Sequence, residues 1–285
     1  MKLFKKILKI VFSILFTLLI VVYLFFVNFS SIKSDEEVLK EFEESIHKPF
    51  ISYVTFKNFE YRVLSMQEKI DTLKTTVVFV HGAPGSLLDF KKYLADSLLN
   101  AKSNMISYDR IGYGFNQTHL AQKSLDFEVE ILRNVVKDLN LENTIIVGYS
   151  YGGPIALAMK EKFKNIVLLA PSVYSKVEPM PFVLHFYKWK MTRWLVPKIW
   201  KSASEEKMNH PQELEKFEKR WIENPSQIID IHGDEDGIVP FENSLFLKEQ
   251  FSSKQFELIT IPTGGHSLVW SNFTLIKAEL LKLLN

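Results

Sequence analysis

Cysteine is missing from all 285 residues, which excludes disulfides, thiolate metal sites and a cysteine nucleophile and leaves the redox compartment open. The seven histidines are scattered, without the close spacing that a metal site needs. Acid is absent from residues 1–34, where Lys2, Lys5, Lys6, Lys9 and Lys33 stand alone. Removing these five from the 35 basic residues leaves 30 against 33 acidic ones, so the formal charge of +2 arises at one end and the remainder is mildly acidic. Net charge therefore gives no support to a nucleic-acid partner. There is no internal repeat and no low-complexity tract. With 47% hydrophobic residues the chain can bury a sizeable core, in one large α/β domain or two small ones.

The N-terminus holds what the rest lacks, a long uncharged run. Ile10 to Val27 is apolar apart from Ser13 and Thr17, about the minimum length for a helix that crosses roughly 30 Å of hydrocarbon. A cleaved signal peptide is the alternative. Bulky "YLFFVNF" stands where small residues would mark a cleavage site, and no cysteine offers a lipid anchor. The reading is an uncleaved signal anchor over residues 1–33. Four lysines before the span and "SDEE" after it place the N-terminus in the cytoplasm and the remainder outside it. Cleavage would instead release a secreted protein.

Residues 34–49 read as a charged helical spacer, capped by Ser34 and closed by Pro49. Eight strand candidates follow, at 52–56, 60–66, 75–80, 105–108, 144–149, 165–170, 227–231 and 256–261. Helical patterns at 87–100, 125–140, 153–163, 242–251 and 273–284 alternate with the later strands. That alternation, with continuous apolar strands, predicts a mostly parallel sheet covered on both faces. Residues 171–226 break it, and a helical insertion over one end of the sheet is expected there, broken at Pro181, Pro197 and Pro211.

"TIIVGYSYGGPIALAMKEKF" (144–163) runs from a β-branched strand through Gly148-Tyr149-Ser150-Tyr151-Gly152-Gly153 into a helical pattern. A serine in so tight a strand-to-helix corner needs small neighbours, and the corner lifts its hydroxyl above the sheet edge. A hydroxyl is a weak nucleophile, so it needs a base, and the base needs an orienting carboxylate. Only His266, in "LITIPTGGHSLVW", follows the last strand in a glycine-rich turn. The preceding strand ends in "IIDIHGDEDGIVP", which offers Asp236, directed back toward His266 by a turn, with Asp234 as the alternative. His81 and His232 read as structural, and Asp109 and Arg110 as ties for their own loop.

These segments resemble the α/β-hydrolase fold family over about residues 50–285. "HGAPGS" (81–86) is similar to the family's oxyanion loop and "DRIGYG" (109–114) to its D-R-x-G-x-G turn. "GYSYGG" (148–153) is similar to the nucleophile elbow, and "HGDEDGIVP" (232–240) with "GGH" (264–266) to the acid and base turns. The resemblance implies an eight-stranded, mostly parallel sheet with helices on both faces and a helical lid, here preceded by a transmembrane helix. It implies catalysis by Ser150, His266 and Asp236, an oxyanion hole from the backbone N–H groups of Ala83 and Tyr151, and no cofactor or metal. Epoxide- and halide-displacing relatives carry an aspartate at the elbow, which Ser150 does not match.

Within the insertion, 185–201 carries Lys188, Lys190, Arg193, Lys198 and Lys201 without an acid, interleaved with Phe186, Tyr187, Trp189, Trp194 and Trp200. An ordinary cap with its aromatics over the site is the first reading, and a lid lying on lipid the second. Either implies an apolar pocket and an ester or thioester of lipid-like character as substrate. Other readings stay open: an aminopeptidase of the proline iminopeptidase type, using glutamates of the insertion to hold an amino group, a catalytically poor ligand-binding protein, or a cofactor-free haloperoxidase side activity. Oligomeric state is not legible.

Overall fold

β-Branched runs with glycine or a capping residue at their ends build the sheet. In the computed structural model, which describes residues 2–115, 117 and 119–285, its strands are β1 (Phe50–Phe56), β2 (Phe59–Ser65), β3 (Thr75–Val80), β4 (Ser103–Tyr108), β5 (Thr144–Tyr149), β6 (Asn165–Leu169), β7 (Gln227–Gly233) and β8 (Phe256–Ile261). Their order is β1-β2-β4-β3-β5-β6-β7-β8. β1 and β2 run antiparallel to each other, β2 is antiparallel to β4, and every other pair is parallel.

Period-two alternation divides the core between the two faces. Val78, Val80 and Ile146 pack on one face with Leu132, Ile155 and Leu247 from the helices Leu125–Val136, Gly152–Leu157 and Glu242–Gln250. Val77, Phe79, Ile145 and Val147 pack on the other with Leu99, Ile276 and Leu280. Every residue of β3, β4 and β5 is buried, and each large aliphatic side chain so placed contributes about 1.5–3 kcal/mol. The chain leaves β3 toward β4 on one side and leaves the adjacent β5 toward β6 on the other. That is a topological switch point, where open α/β sheets hold ligands at the carboxyl ends of their strands.

Several helices differ from expectation. The pattern at 87–100 is not one helix but the turns Leu87–Phe90 and Lys91–Leu94 and the helix Ser97–Lys102. Asp96 restarts it, its Oδ1 accepting from the N–H groups of Leu98 and Leu99, both at 3.0 Å. The helix after the serine stops at Leu157 rather than 163, because Asn224 Nδ2 donates to the carbonyls of Leu157 and Met159 at 2.8 and 2.9 Å. In the spacer only Asp35–Lys40 is helical. Ser34 and Glu37 form a capping box, and Val38 and Phe42 are drawn into the core. The N-terminal helix is unbroken from Lys2 to Phe29, and none of its Leu3–Phe29 span is buried.

Residues 171–226 contain no strand and carry the helices Leu184–Lys188 and Lys198–Phe217. Pro197 precedes the longer helix, but Pro211 lies within it without ending it. The missing N–H forfeits one bond, while buried His210, Glu213 and Leu214 hold the turns on either side.

Candidate active site

Ser150 sits between β5 and the helix Gly152–Leu157 with φ of +52°, a conformation that costs a non-glycine residue roughly 1–3 kcal/mol. Its backbone is held on both sides. The N–H donates to Leu169 O at 2.9 Å, and the carbonyl accepts from Gly153 N at 2.9 Å and Ser172 N at 3.3 Å. The corner closes only because its flanks lack side chains. A Cβ on Gly148 would lie 2.4 Å from Gly152 O, and one on Gly152 would lie 2.2 Å from Val80 O. The elbow is thus pressed against the end of β3, where the loop from His81 begins.

His266 and Asp236 reach the same place from the ends of β8 and β7. His266 Nε2 is 3.0 Å from Ser150 Oγ, and its Nδ1 is 2.7 Å from Asp236 Oδ2. A carboxylate only accepts, so Nδ1 carries the proton toward Asp236 and Nε2 is left to accept from the serine hydroxyl. Asp236 Oδ1 accepts from the N–H groups of Ile238 and Val239 at 2.8 and 2.9 Å. Burial raises the Asp236 pKa, but hydrogen bonds from His232 and His266 outweigh it and hold the carboxyl well below its ordinary value. The alternative acid, Asp234, turns away and accepts from Thr263 N at 2.7 Å.

Ala83 lies in the loop after β3, whose backbone comes so close that a Cβ on Gly82 would be 3.1 Å from Ser150 Cβ. Tyr151 begins the helix after the elbow. Neither backbone N–H donates to a carbonyl among the described residues. Two donors beside a nucleophile, free of other partners, are what a developing oxyanion requires. Apart from Ser150 and its neighbours, the motif residues do other work. His81 is fully buried, with Nδ1 2.7 Å from Gly82 O and Nε2 accepting from Arg110 N at 3.0 Å. Burial first, and then Arg110, hold its pKa well below the ordinary value. Asp109 is bonded by Arg62 Nε at 2.8 Å and Leu87 N at 2.9 Å.

Reading the sequence missed four contributors. His232 does more than hold its own turn, since its Nε2 is 3.2 Å from Asp236 Oδ2. Tyr149 Oη donates to His266 O at 2.9 Å and fixes the base's backbone. His210, from the insertion, lies with its ring centroid 4.6 Å from that of Tyr151, tilted by 36°, and burial holds its pKa down at about 4. Glu206 accepts from Arg110 Nη1 and Nη2 at 2.7 and 3.0 Å and from Tyr113 Oη at 2.6 Å. Arg110 also donates to His81 O and Gly82 O at 3.1 and 3.0 Å, so one guanidinium ties the insertion to the loop that carries Ala83. The signal was a spacing: Ser202, Glu206, His210 and Glu213 share one helix face.

Comparison with known proteins agrees with this architecture. The family model described as alpha/beta hydrolase fold matches residues 75–212. A protein of Synechocystis sp. (strain ATCC 27184 / PCC 6803 / Kazusa) that carries the provisional name non-heme chloroperoxidase is 25% identical over 254 residues, 73% of this chain and 90% of its own. Among solved structures, MGS-M2, an alpha/beta hydrolase enzyme from a Medee basin deep-sea metagenome library, superposes with a TM-score of 0.63 at 18% identity, covering 81% of this chain and 96% of its own. A structure from the thaumarchaeon Nitrososphaera gargenis, in a study of its carboxylesterases, gives 0.61 at 15% identity, covering 82% and 98%.

Proposed function

From the premise that this chain has the α/β-hydrolase fold, we propose that it is a membrane-anchored serine hydrolase that cleaves carboxylic ester or thioester bonds of an apolar, lipid-like substrate. The observation that carries the reading is the unbroken chain Ser150 Oγ to His266 to Asp236, at 3.0 and 2.7 Å. His266 Nε2 takes the hydroxyl proton as Ser150 Oγ attacks the carbonyl carbon, and Asp236 stabilises the imidazolium that forms. The N–H groups of Ala83 and Tyr151 receive the oxyanion, each worth about 3–4 kcal/mol of the barrier. Collapse passes the proton from His266 to the leaving alcohol or thiol and leaves the acyl group on Ser150. Water, deprotonated by His266, then releases the acid. The helix Lys2–Phe29 supports anchoring by its length and by an apolar span of which none is buried, and its lysines support a cytoplasmic N-terminus.

The aminopeptidase reading is less well supported, because the buried glutamates of the lid are already engaged. Glu206 is held by Arg110, Glu213 accepts from Leu125 N at 2.9 Å, and Glu178 accepts from Ser172 Oγ at 2.6 Å. Turnover of p-nitrophenyl esters of increasing chain length, run beside aminoacyl p-nitroanilides, tests the choice. The reading expects ester turnover that Ser150→Ala abolishes and little or no release of anilide. Anilide turnover exceeding that of every ester would overturn it.

A further inference from the structure

The two halves of the lid are built inside out relative to each other. In the helix Lys198–Phe217 the buried positions include Ser202, Glu206, His210 and Glu213, all polar. In the stretch before it the exposed positions are apolar: Phe182 at 76%, Phe186 at 53%, Trp189 at 59%, Met191 at 70% and Trp194 at 71% exposed. Of the aromatics expected over the site, Tyr187 is buried and Trp200 half-buried, but Phe186, Trp189 and Trp194 are exposed. Their rings face outward, and an apolar patch left in that state marks a binding surface. Lys188, Lys190, Arg193, Lys198 and Lys201 are interleaved with it, and none is ion-paired with a carboxylate among the described residues.

What lies against this half is the N-terminal helix. Tyr23 Oη donates to Leu195 O at 3.0 Å, Trp200 Nε1 donates to Ser30 Oγ at 2.8 Å, and the rings of Phe26 and Trp200 are 5.8 Å apart. Tyr23 precedes Val27, the end of the strongly apolar run, by four residues, so it lies about 6 Å inside that run along the helix axis. When the helix spans a bilayer, this bond sets Leu195 and its neighbour Trp194 at the boundary between headgroups and acyl chains.

Resting on the reading of the N-terminal helix as an anchor, we infer that the lid segment 182–201 is a second membrane contact, lying in the interface of an anionic bilayer beside the end of that helix. Indole and phenyl rings favour that depth, and the exposed Lys188 and Lys190 meet lipid phosphates, each worth more against an anionic surface than a neutral one. The same lid continues into Glu206 and His210, which pack against Arg110 and Tyr151. The substrate class narrows accordingly to esters already dissolved in the bilayer.

Because the chain has no cysteine, a single introduced thiol gives a unique reporter. Trp194→Cys in the full chain, labelled with an environment-sensitive fluorophore, is reconstituted into phosphatidylcholine–phosphatidylglycerol vesicles with and without a nitroxide quencher on the lipid acyl chains. Leu73→Cys, 92% exposed before β3 at the opposite end of the sheet, serves as the distant control. Alkaline carbonate extraction of the same vesicles tests the anchor separately. The expected result is about twofold quenching at residue 194, as for an interfacial group, none at residue 73, and a chain that resists extraction. Resistance to extraction with no quenching at 194 overturns the lid contact and leaves the anchor standing. Extraction with quenching retained overturns the anchor and supports an independent lid contact, and extraction without quenching overturns both. Quenching at 194 that is unchanged when phosphatidylglycerol is omitted would overturn the assignment to anionic lipid.

Discussion

The polar cluster at Ser150 and the polar cluster at Arg110 meet across the ring of Tyr151, whose centroid is 4.7 Å from the guanidinium carbon, and they put the same residue types to opposite uses. His266 has one ring nitrogen on a carboxylate and the other on a hydroxyl, with part of its side chain exposed. His81 has both nitrogens on backbone groups and is sealed. Asp236 faces a histidine that can gain a proton, whereas Asp109 faces an arginine that cannot lose one. What separates a proton-transfer site from a structural clamp here is therefore the partner of the second nitrogen and access to the surface, not the residue type. The clamp in turn has its own consequence, since Arg110 and Glu206 hold the lid and the Ala83 loop in one arrangement.

The largest effect should come from the cluster proposed to move protons. Asp236→Asn leaves the fold intact but removes the acceptor that fixes the His266 tautomer. Ester turnover should show kcat lower by about 10³–10⁴-fold with KM little changed, by analogy with other triads. A loss below about tenfold would erase the distinction between Asp236 and Asp109.

Next comes the clamp. Glu206→Gln removes the main partner of a fully buried Arg110, but Glu128 lies 3.7 Å from the same guanidinium. Glu128 can ionise to replace the lost charge, so the single variant should be milder than Glu206→Gln combined with Glu128→Gln. The pair leaves an uncompensated buried charge, at a cost of about 3–5 kcal/mol. Denaturant unfolding of the singles and the double tests this coupling, and simple additivity of the two singles would contradict it.

The smallest effect is a pH dependence. Burial raises the Glu128 pKa to about 8, against the pull of Arg110. Between about 4.5, its ordinary value, and about 8 the unfolded chain releases this proton while the folded chain keeps it. The wild type therefore loses stability across that window as pH rises. Glu128→Gln lacks this slope, so its Tm should match the wild type near pH 5 and exceed it near pH 8. Parallel Tm curves across the window would show that Glu128 is ionised throughout and that the clamp carries two carboxylates.

Much of this contrast was legible beforehand. β3 and β5 fall where their β-branched runs begin and end, because burial on both faces leaves little freedom. The convergence of Ser150, His266 and Asp236 was legible because each follows a strand end in a turn with glycine beside it, and strand ends converge on one edge of a parallel sheet. The lid was not. Its inner helix buries glutamate, serine and histidine, so its polar stripe reads as a solvent face, and its outer half exposes the tryptophans that composition assigns to a core. Partners from distant segments decide the first case, since Arg110 and Leu125 hold the buried acids. Neither partner lies within a helical turn of the residues it governs.

The central claim is that the hydroxyl at the elbow is an activated nucleophile, and a fluorophosphonate probe measures that most directly. Full-length protein, its His266→Ala variant and its Ser150→Ala variant are exposed to the probe, and the adduct is located by peptide mass spectrometry. The account predicts one adduct, on Ser150, lost in the Ser150→Ala variant and reduced by orders of magnitude in rate in the His266→Ala variant. A folded wild-type protein that stays unlabelled, or labels equally without His266, would contradict it.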